Sequence, residues 1–233
     1  MGERSYTEEE VLELARRAYR SGRATFPVVS GRSALLVIDM QDEFVKPGWT
    51  PYWVPEATRM VPRLGAFIAR CRAAGLPVIY TAFAGTHRSL DRPHSGAFMP
   101  NRYDVPEASG AWFQGGRIWH ELAPRPEDVI ILKPSYGAFY DTPLETILRN
   151  LGRDTIIITG TLTNFCCGAT ARQGYERGFR VVFAGDLTAT DDPDLQEAEQ
   201  CVLRKGFALV MSADEIAAAL GGANAGAADG PAA

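Results

Sequence analysis

Six short apolar runs separated by segments of helical periodicity predict an α/β fold, a parallel sheet with helices on both faces. Three features carry this reading. Ala34-Leu35-Leu36-Val37-Ile38 is apolar without alternation, as in a strand buried on both sides. Runs of the same kind recur at Val78-Ile79-Tyr80-Thr81, Val129-Ile130-Ile131-Leu132, Thr155 to Thr159, Val181-Val182-Phe183 and Phe207-Ala208-Leu209-Val210. Between them, helices end on the expected punctuation, most clearly at Gly75 and Pro77.

Taken in order, Thr7-Glu8-Glu9-Glu10 has the pattern of a capping box, and Val11, Leu12, Leu14, Ala15 and Ala18 follow at helical spacing, predicting a helix to about Tyr19. Residues 21–32 read as a connecting arm whose Phe26, Val28 and Val29 pack either on the body of the chain or on a neighbouring subunit. After the first strand, helices are expected over 56–74, 144–150, 168–177, 195–204 and 213–220, the last with Ser212 as N-cap. The expected division is therefore residues 1–32 as helix and arm, 33–220 as one catalytic domain, and 221–233 as a Gly/Ala-rich disordered tail.

Two stretches break the rhythm. Residues 44–55, with Trp49, Tyr52 and Trp53, follow the first strand. Residues 84–127, with His87, His94, Phe98, Tyr103, Trp112, Phe113, Trp119 and His120, follow the second. Open α/β sheets bind ligands beyond the carboxyl ends of their strands, so these insertions are expected to wall a pocket.

Composition narrows the partners. A formal net charge of −4, three histidines and scattered basic residues leave no footprint for nucleic acid, and a small-molecule partner is expected. No apolar run approaches the roughly 20 residues that span a bilayer, and Met1-Gly2-Glu3-Arg4-Ser5-Tyr6 is too polar for a signal peptide, so no membrane partner and a cytoplasmic location are expected. Cys71, Cys166, Cys167 and Cys201 lack C-x-x-C spacing, which argues against a structural zinc or a disulfide framework.

Chemistry concentrates at three strand ends. Asp39 closes the first strand, Lys133 the third, and Cys166 lies in the turn after the fourth, within Gly160-Thr161-Leu162-Thr163-Asn164-Phe165-Cys166. In a parallel sheet they meet at one edge. A thiol at a helix start is expected to be biased toward thiolate by unpaired N–H groups and the helix dipole. A nearby carboxylate can take its proton, and a lysine can keep both anions charged. Singly, each has an ordinary explanation: a capped turn, a solvated edge charge, a buried filler thiol. Together they point to nucleophilic catalysis.

These residues resemble the isochorismatase-like cysteine hydrolases. The matching pieces are Val37-Ile38-Asp39-Met40-Gln41-Asp42-Glu43-Phe44, Leu132-Lys133-Pro134-Ser135-Tyr136-Gly137-Ala138-Phe139 with Thr142 and Leu144, and Gly160 to Cys166 running on to Arg177-Gly178-Phe179. The resemblance implies a Rossmann-like three-layer α/β/α sandwich with a six-stranded parallel sheet, and a catalytic Asp39, Lys133 and Cys166. It also implies a non-proline cis peptide between Thr161 and Leu162 that turns the N–H groups of Leu162 and Cys166 toward a substrate oxygen, and a homo-oligomer, dimer or tetramer. Cys167 falls where relatives carry an aliphatic residue and is read as packing; Cys71 and Cys201, on expected helices, are read as structural.

The family splits by substrate. Nicotinamidases resemble one another in an Asp-x-His metal element after the second strand, and Ala82-Phe83-Ala84-Gly85-Thr86-His87 lacks that Asp, so neither a metal nor a cofactor is expected. A cysteine at position 166 favours carbon–nitrogen over ether cleavage. The expectation is a metal-independent amidohydrolase acting on a ureido or carbamoyl amide, such as ureidoacrylate, an N-carbamoyl compound or biuret. Phe44, Tyr136 and Phe165 are the expected substrate-binding walls, and Arg88, Arg92, Arg102 or Arg117 the candidates to meet a substrate carboxylate. The alternatives are a nicotinamidase-like or isochorismatase-type hydrolase, or a non-catalytic α/β binding module. A nucleotide-binding module needs a glycine-rich turn where this chain has Met40-Gln41-Asp42-Glu43.

Overall fold

The computed structural model describes residues 5–21, 25–93, 112–113 and 115–222. His94, Phe98, Arg102, Tyr103 and the tail from residue 223 lie outside them. Six parallel strands form one sheet: β1 (Ser33–Ile38), β2 (Val78–Phe83), β3 (Val129–Lys133), β4 (Thr155–Thr161), β5 (Arg180–Ala189) and β6 (Leu209–Met211), in the order β3-β2-β1-β4-β5-β6. The helices are α1 (Glu8–Ser21), α2 (Asp42–Val45), α3 (Pro55–Ala73), α4 (Leu144–Asn150), α5 (Gly168–Glu176), α6 (Pro193–Gly206) and α7 (Ala213–Gly222). None is long and apolar enough to cross a membrane.

Every residue of β1 is buried, and its side chains divide between two cores as the strand's two-residue period requires. Leu35 and Val37 join Leu64, Phe67 and Ile68 of α3 and Ile216 of α7 on one face; Ala34, Leu36 and Ile38 join Leu144 and Leu148 of α4, Ala171 of α5 and Leu203 of α6 on the other. The three layers follow. As an edge strand, β3 leaves Ile130 and Leu132 exposed.

Both expected caps form. Thr7 and Glu10 exchange hydrogen bonds at the start of α1, as Ser212 and Glu215 do at the start of α7. The N-terminal helix lies against α6, with Lys205 Nζ 3.9 Å above the Tyr19 ring, and Val28 of the arm is buried in the core. The last helix runs on through Gly221 and Gly222, two residues into the expected tail.

Chain order reverses between β1 and β4. Beyond β1 the strands build outward through β2 to β3, and the chain then returns to lay β4 on the other side of β1. A crevice opens at the carboxyl ends of such neighbours. Gly160 brings the two strand ends together: it is paired with Ile38, has φ 111°, and any Cβ there would overlap the Ile38 carbonyl. Only glycine serves at that position.

Candidate active site

Asp39, immediately after β1, is clamped from both neighbouring strands. Its N–H donates to Thr81 O at 3.1 Å, its Oδ1 accepts from Thr81 Oγ1 at 2.7 Å, and its carbonyl accepts from Thr161 Oγ1 at 3.0 Å. Its φ of 48° lies in the left-handed region that non-glycine residues rarely occupy. Conformations of this kind persist where the surroundings over-determine them.

Lys133 ends β3, with β2 between it and β1. Adjacent strands lie about 4.8 Å apart, so side chains on β3 and β1 must together span about 10 Å to meet, and the long lysine reaching past β2 toward the Asp39 carboxylate does so. Its ammonium stands 2.7 Å from Asp39 Oδ2 and donates to Ser135 O at 2.8 Å and to Cys166 Sγ at 3.3 Å. Asp39 and Lys133 are fully buried, and Cys166 is 3% exposed. Oδ2 meets the ammonium as an ion pair and has no directed hydrogen bond of its own. Burial pulls the Lys133 pKa down, but the Asp39 carboxylate and the Cys166 sulfur outweigh it and hold the pKa above lysine's ordinary value.

Cys166 sits in a single π turn, Thr163–Cys167, between β4 and α5. The Thr161–Leu162 peptide is cis, as the resemblance implies. Phe165 and Cys167 both donate backbone N–H bonds to Leu162 O at 3.1 Å. Thr163 Oγ1 donates to Gln196 Oε1 of α6 at 2.5 Å, and Thr170 Oγ1 donates to the Cys166 carbonyl at 2.6 Å. The turn is thus tied to α5 and α6.

One expectation is corrected here. The thiol is not held as a thiolate by a helix terminus; burial, together with the adjacent Asp39 carboxylate, pushes its pKa up to about 12 against the pull of Lys133. Cys167 is also buried, in the core beside α5, with a pKa well above a thiol's usual range because of burial.

Above the sulfur is a cavity of about 230 Å³ lined by Phe44, Pro51, Tyr52, Phe83, Tyr136, Leu162, Phe165, Cys166 and Asp191. The three expected aromatic walls are all present. Phe113, from the long insertion, supports them with ring centroids 5.4 Å from Phe44, Tyr52 and Phe83. Of the expected arginines, Arg117 pairs with Asp42, Arg92 lies over the Phe83 ring with 4.5 Å from Cζ to centroid, and Arg88 is exposed in a turn at residues 86–89. His87 pairs with Asp91 at 2.9 Å, and among the described residues no three His, Cys, Asp or Glu side chains cluster as metal ligands.

The sequence model of the isochorismatase domain matches residues 33–215. The chain belongs to the isochorismatase family. It is 30% identical over 206 residues to the ureidoacrylate amidohydrolase RutB of Methylobacterium radiotolerans, covering 80% of this chain and 79% of that protein. It is 31% identical over 195 residues to nicotinamidase 3 of Arabidopsis thaliana, covering 79% and 86%. Among solved structures, a cysteine hydrolase from Pseudomonas syringae pv. phaseolicola superposes with a TM-score of 0.76 at 28% identity, over 88% of this chain and 99% of that one. This is an isochorismatase-family hydrolase with the family's fold.

Reading by residue type passed over two wall residues. Phe83 closes β2 and Asp191 lies just after β5, both at carboxyl strand ends; strand-end position is the signal that locates them.

Proposed function

We propose that this chain hydrolyses a small linear amide of the ureido or carbamoyl kind through a thioester formed on Cys166. The chain is a hydrolase of carbon–nitrogen bonds other than peptide bonds, the class of the amidohydrolase and the nicotinamidase it is similar to. The observation that carries the mechanism is the single ammonium of Lys133 in contact with both Asp39 Oδ2, at 2.7 Å, and Cys166 Sγ, at 3.3 Å.

In the resting site the thiol is neutral and the charges of Asp39 and Lys133 cancel. Moving the thiol proton to Asp39 creates no net charge in the dry pocket: the ammonium exchanges a carboxylate partner for a thiolate partner. Asp39 is thus the general base, and the Lys133 ammonium stabilises the negative charge on whichever of the two atoms bears it. The thiolate attacks the substrate carbonyl, and the N–H groups of Leu162 and Cys166 receive the oxyanion. The proton on Asp39 then leaves with ammonia or an amine. The freed carboxylate takes a proton from water as the water adds to the thioester, and the acid departs with Cys166 protonated again.

Ureido and carbamoyl groups suit the cavity because they are small, planar and uncharged, and aromatic walls grip planar groups on their faces. The similarity to a ureidoacrylate amidohydrolase supports the same class. The test is ammonia release over biuret, ureidoacrylate, N-carbamoyl amino acids, nicotinamide and simple aliphatic amides, with Cys166→Ala as blank. Hydrolysis of a carbamoyl compound with an acyl adduct on Cys166 in quenched samples is expected. Ammonia release by Cys166→Ala at the parental rate overturns the proposal.

A further inference from the structure

We infer that Asp191 sets the charge preference of the site, so that the end of the substrate remote from the scissile carbonyl is a cation or a neutral hydrogen-bond donor and not a carboxylate. This rests on the hydrolase reading and narrows its substrate class: within the ureido and carbamoyl amides it favours biuret-like compounds over those that carry an acid.

Among the described residues the lining of the cavity holds no lysine or arginine and one charged side chain, Asp191. Beneath the floor Asp39 and Lys133 neutralise one another. Among the described lining residues the uncancelled charge is therefore negative, and it stands at the solvent-exposed mouth of a cavity walled by Phe44, Tyr52, Phe83, Tyr136 and Phe165, while the Arg92 guanidinium lies over the Phe83 ring outside that lining.

One neighbour connects this exposed carboxylate to the site. Thr190 Oγ1 donates to Asn164 Oδ1, in the turn that carries the nucleophile, at 2.6 Å, and lies 3.0 Å from Asp191 Oδ1 as its alternative acceptor, which places Asp191 beside that turn. The neighbouring acid has a different task. Asp192 caps α6, accepting from the N–H groups of Asp194 at 2.8 Å and Leu195 at 3.4 Å, whereas Asp191 makes no cap and faces the cavity.

Asp191 also lines a second, more open groove of about 660 Å³ that runs between α3 and the start of α6. The arginines there are committed, Arg59 to Glu56 and Arg63 to Asp186. Asp191 thus stands where the cavity and the groove meet, and the cations of the outer groove already have partners.

The test reads charge selection at the sulfur without requiring turnover. The whole protein is treated with two methanethiosulfonate reagents of equal length, one ending in an ammonium and one in a sulfonate. Modification of Cys166 is followed by peptide mass mapping, with Cys201, which is partly exposed on α6, as the reference thiol in the same molecule. The ammonium reagent is expected to be favoured at Cys166 over its ratio at Cys201. D191N should reduce that preference about tenfold and D191K should reverse it, with added salt narrowing the ratio in the parent. A ratio at Cys166 that neither substitution moves overturns the inference.

In parallel, kcat/KM is compared for carbamoyl compounds of one length ending in ammonium, carboxamide or carboxylate. The carboxylate is expected to be poorest through KM, and a parent enzyme that prefers it overturns the inference. The two readings fail separately. Charge selection at Cys166 with no amide hydrolysed refutes the hydrolase reading alone, and hydrolysis blind to remote charge refutes only the role of Asp191.

Discussion

Lys133 Nζ lies 3.3 Å from Cys166 Sγ although Lys133 ends β3 and Cys166 lies in the turn after β4, two strands on opposite sides of β1. The contact exists because three strand ends converge where the chain order reverses, and because lysine is long enough to cross β2. The same ammonium holds Asp39 at 2.7 Å, so loss of any one member changes the environment of the other two.

Removing the sulfur separates chemistry from folding. Cys166→Ala deletes one buried atom and leaves the Asp39–Lys133 pair intact, so the unfolding midpoint should stay close to the parent's while kcat falls by at least about 10³-fold. Steady-state kinetics and thermal unfolding of the same preparation check both halves. A variant retaining most of its rate disproves the nucleophile.

Breaking the ion pair does the opposite. Lys133→Met leaves the Asp39 carboxylate buried without its counter-charge, which typically costs about 3–5 kcal/mol, and Asp39→Asn leaves the ammonium in the same condition. The double variant Asp39→Asn, Lys133→Met should be less destabilised than the sum of the two singles, because neither orphaned charge remains. Urea unfolding of all four proteins measures the coupling; strict additivity contradicts it.

The direction of the thiol shift fixes a pH dependence. Cys166 is raised from 9.0 to about 12, so between those values the folded chain retains a proton that the unfolded chain has lost. Stability from this group is complete below about pH 9 and falls as pH rises through the folded value. Lys133 is also raised, and its contribution likewise disappears on the alkaline side of lysine's ordinary pKa of 10.5. Denaturation midpoints should therefore decline above pH 9, more shallowly in Cys166→Ala. In the absence of substrate, alkylation of Cys166 by iodoacetamide should still be accelerating at pH 10; a plateau near neutrality would show a preformed thiolate.

Much of this was legible from residue order. The β1 run has no alternation because both its faces are covered, and Thr7-x-x-Glu10 and Ser212-x-x-Glu215 are written as the caps they form. Asp39, Lys133 and Cys166 could be placed at one edge because parallel strands carry their carboxyl ends together. The protonation state of Cys166 was not legible, since it depends on burial and on a neighbour 127 positions away in the chain. Asp191 was missed for a related reason: in Thr190-Asp191-Asp192-Pro193 the acid before proline carries the helix-cap signal, whereas only packing assigns its neighbour to the cavity.

Glu43 is 4% exposed and makes its hydrogen bonds to none of the reacting groups. Its Oε1 accepts the Phe113 N–H at 2.8 Å, its Oε2 accepts from Gln41 Nε2 at 2.8 Å, and Gln41 in turn exchanges hydrogen bonds with the backbone of Phe83 at 2.8 and 3.0 Å. One buried carboxylate thus fixes the ring of Phe113, which packs on Phe44, Tyr52 and Phe83, so it governs the shape of the cavity from outside. Glu43→Gln keeps one acceptor oxygen but puts an amide donor against either the Phe113 N–H or the Gln41 amide, and so loses one of the two bonds. Such a loss leaves a buried donor unmet, at a cost of about 1–3 kcal/mol. Because the walls loosen while the Asp39–Lys133–Cys166 contacts remain, KM should rise by about tenfold with kcat changed less, and the reactivity of Cys166 toward iodoacetamide should stay at the parental level. A fall in kcat with KM unchanged would assign Glu43 to the chemical step instead, and equal kinetics in Glu43→Gln and parent would remove it from the site altogether.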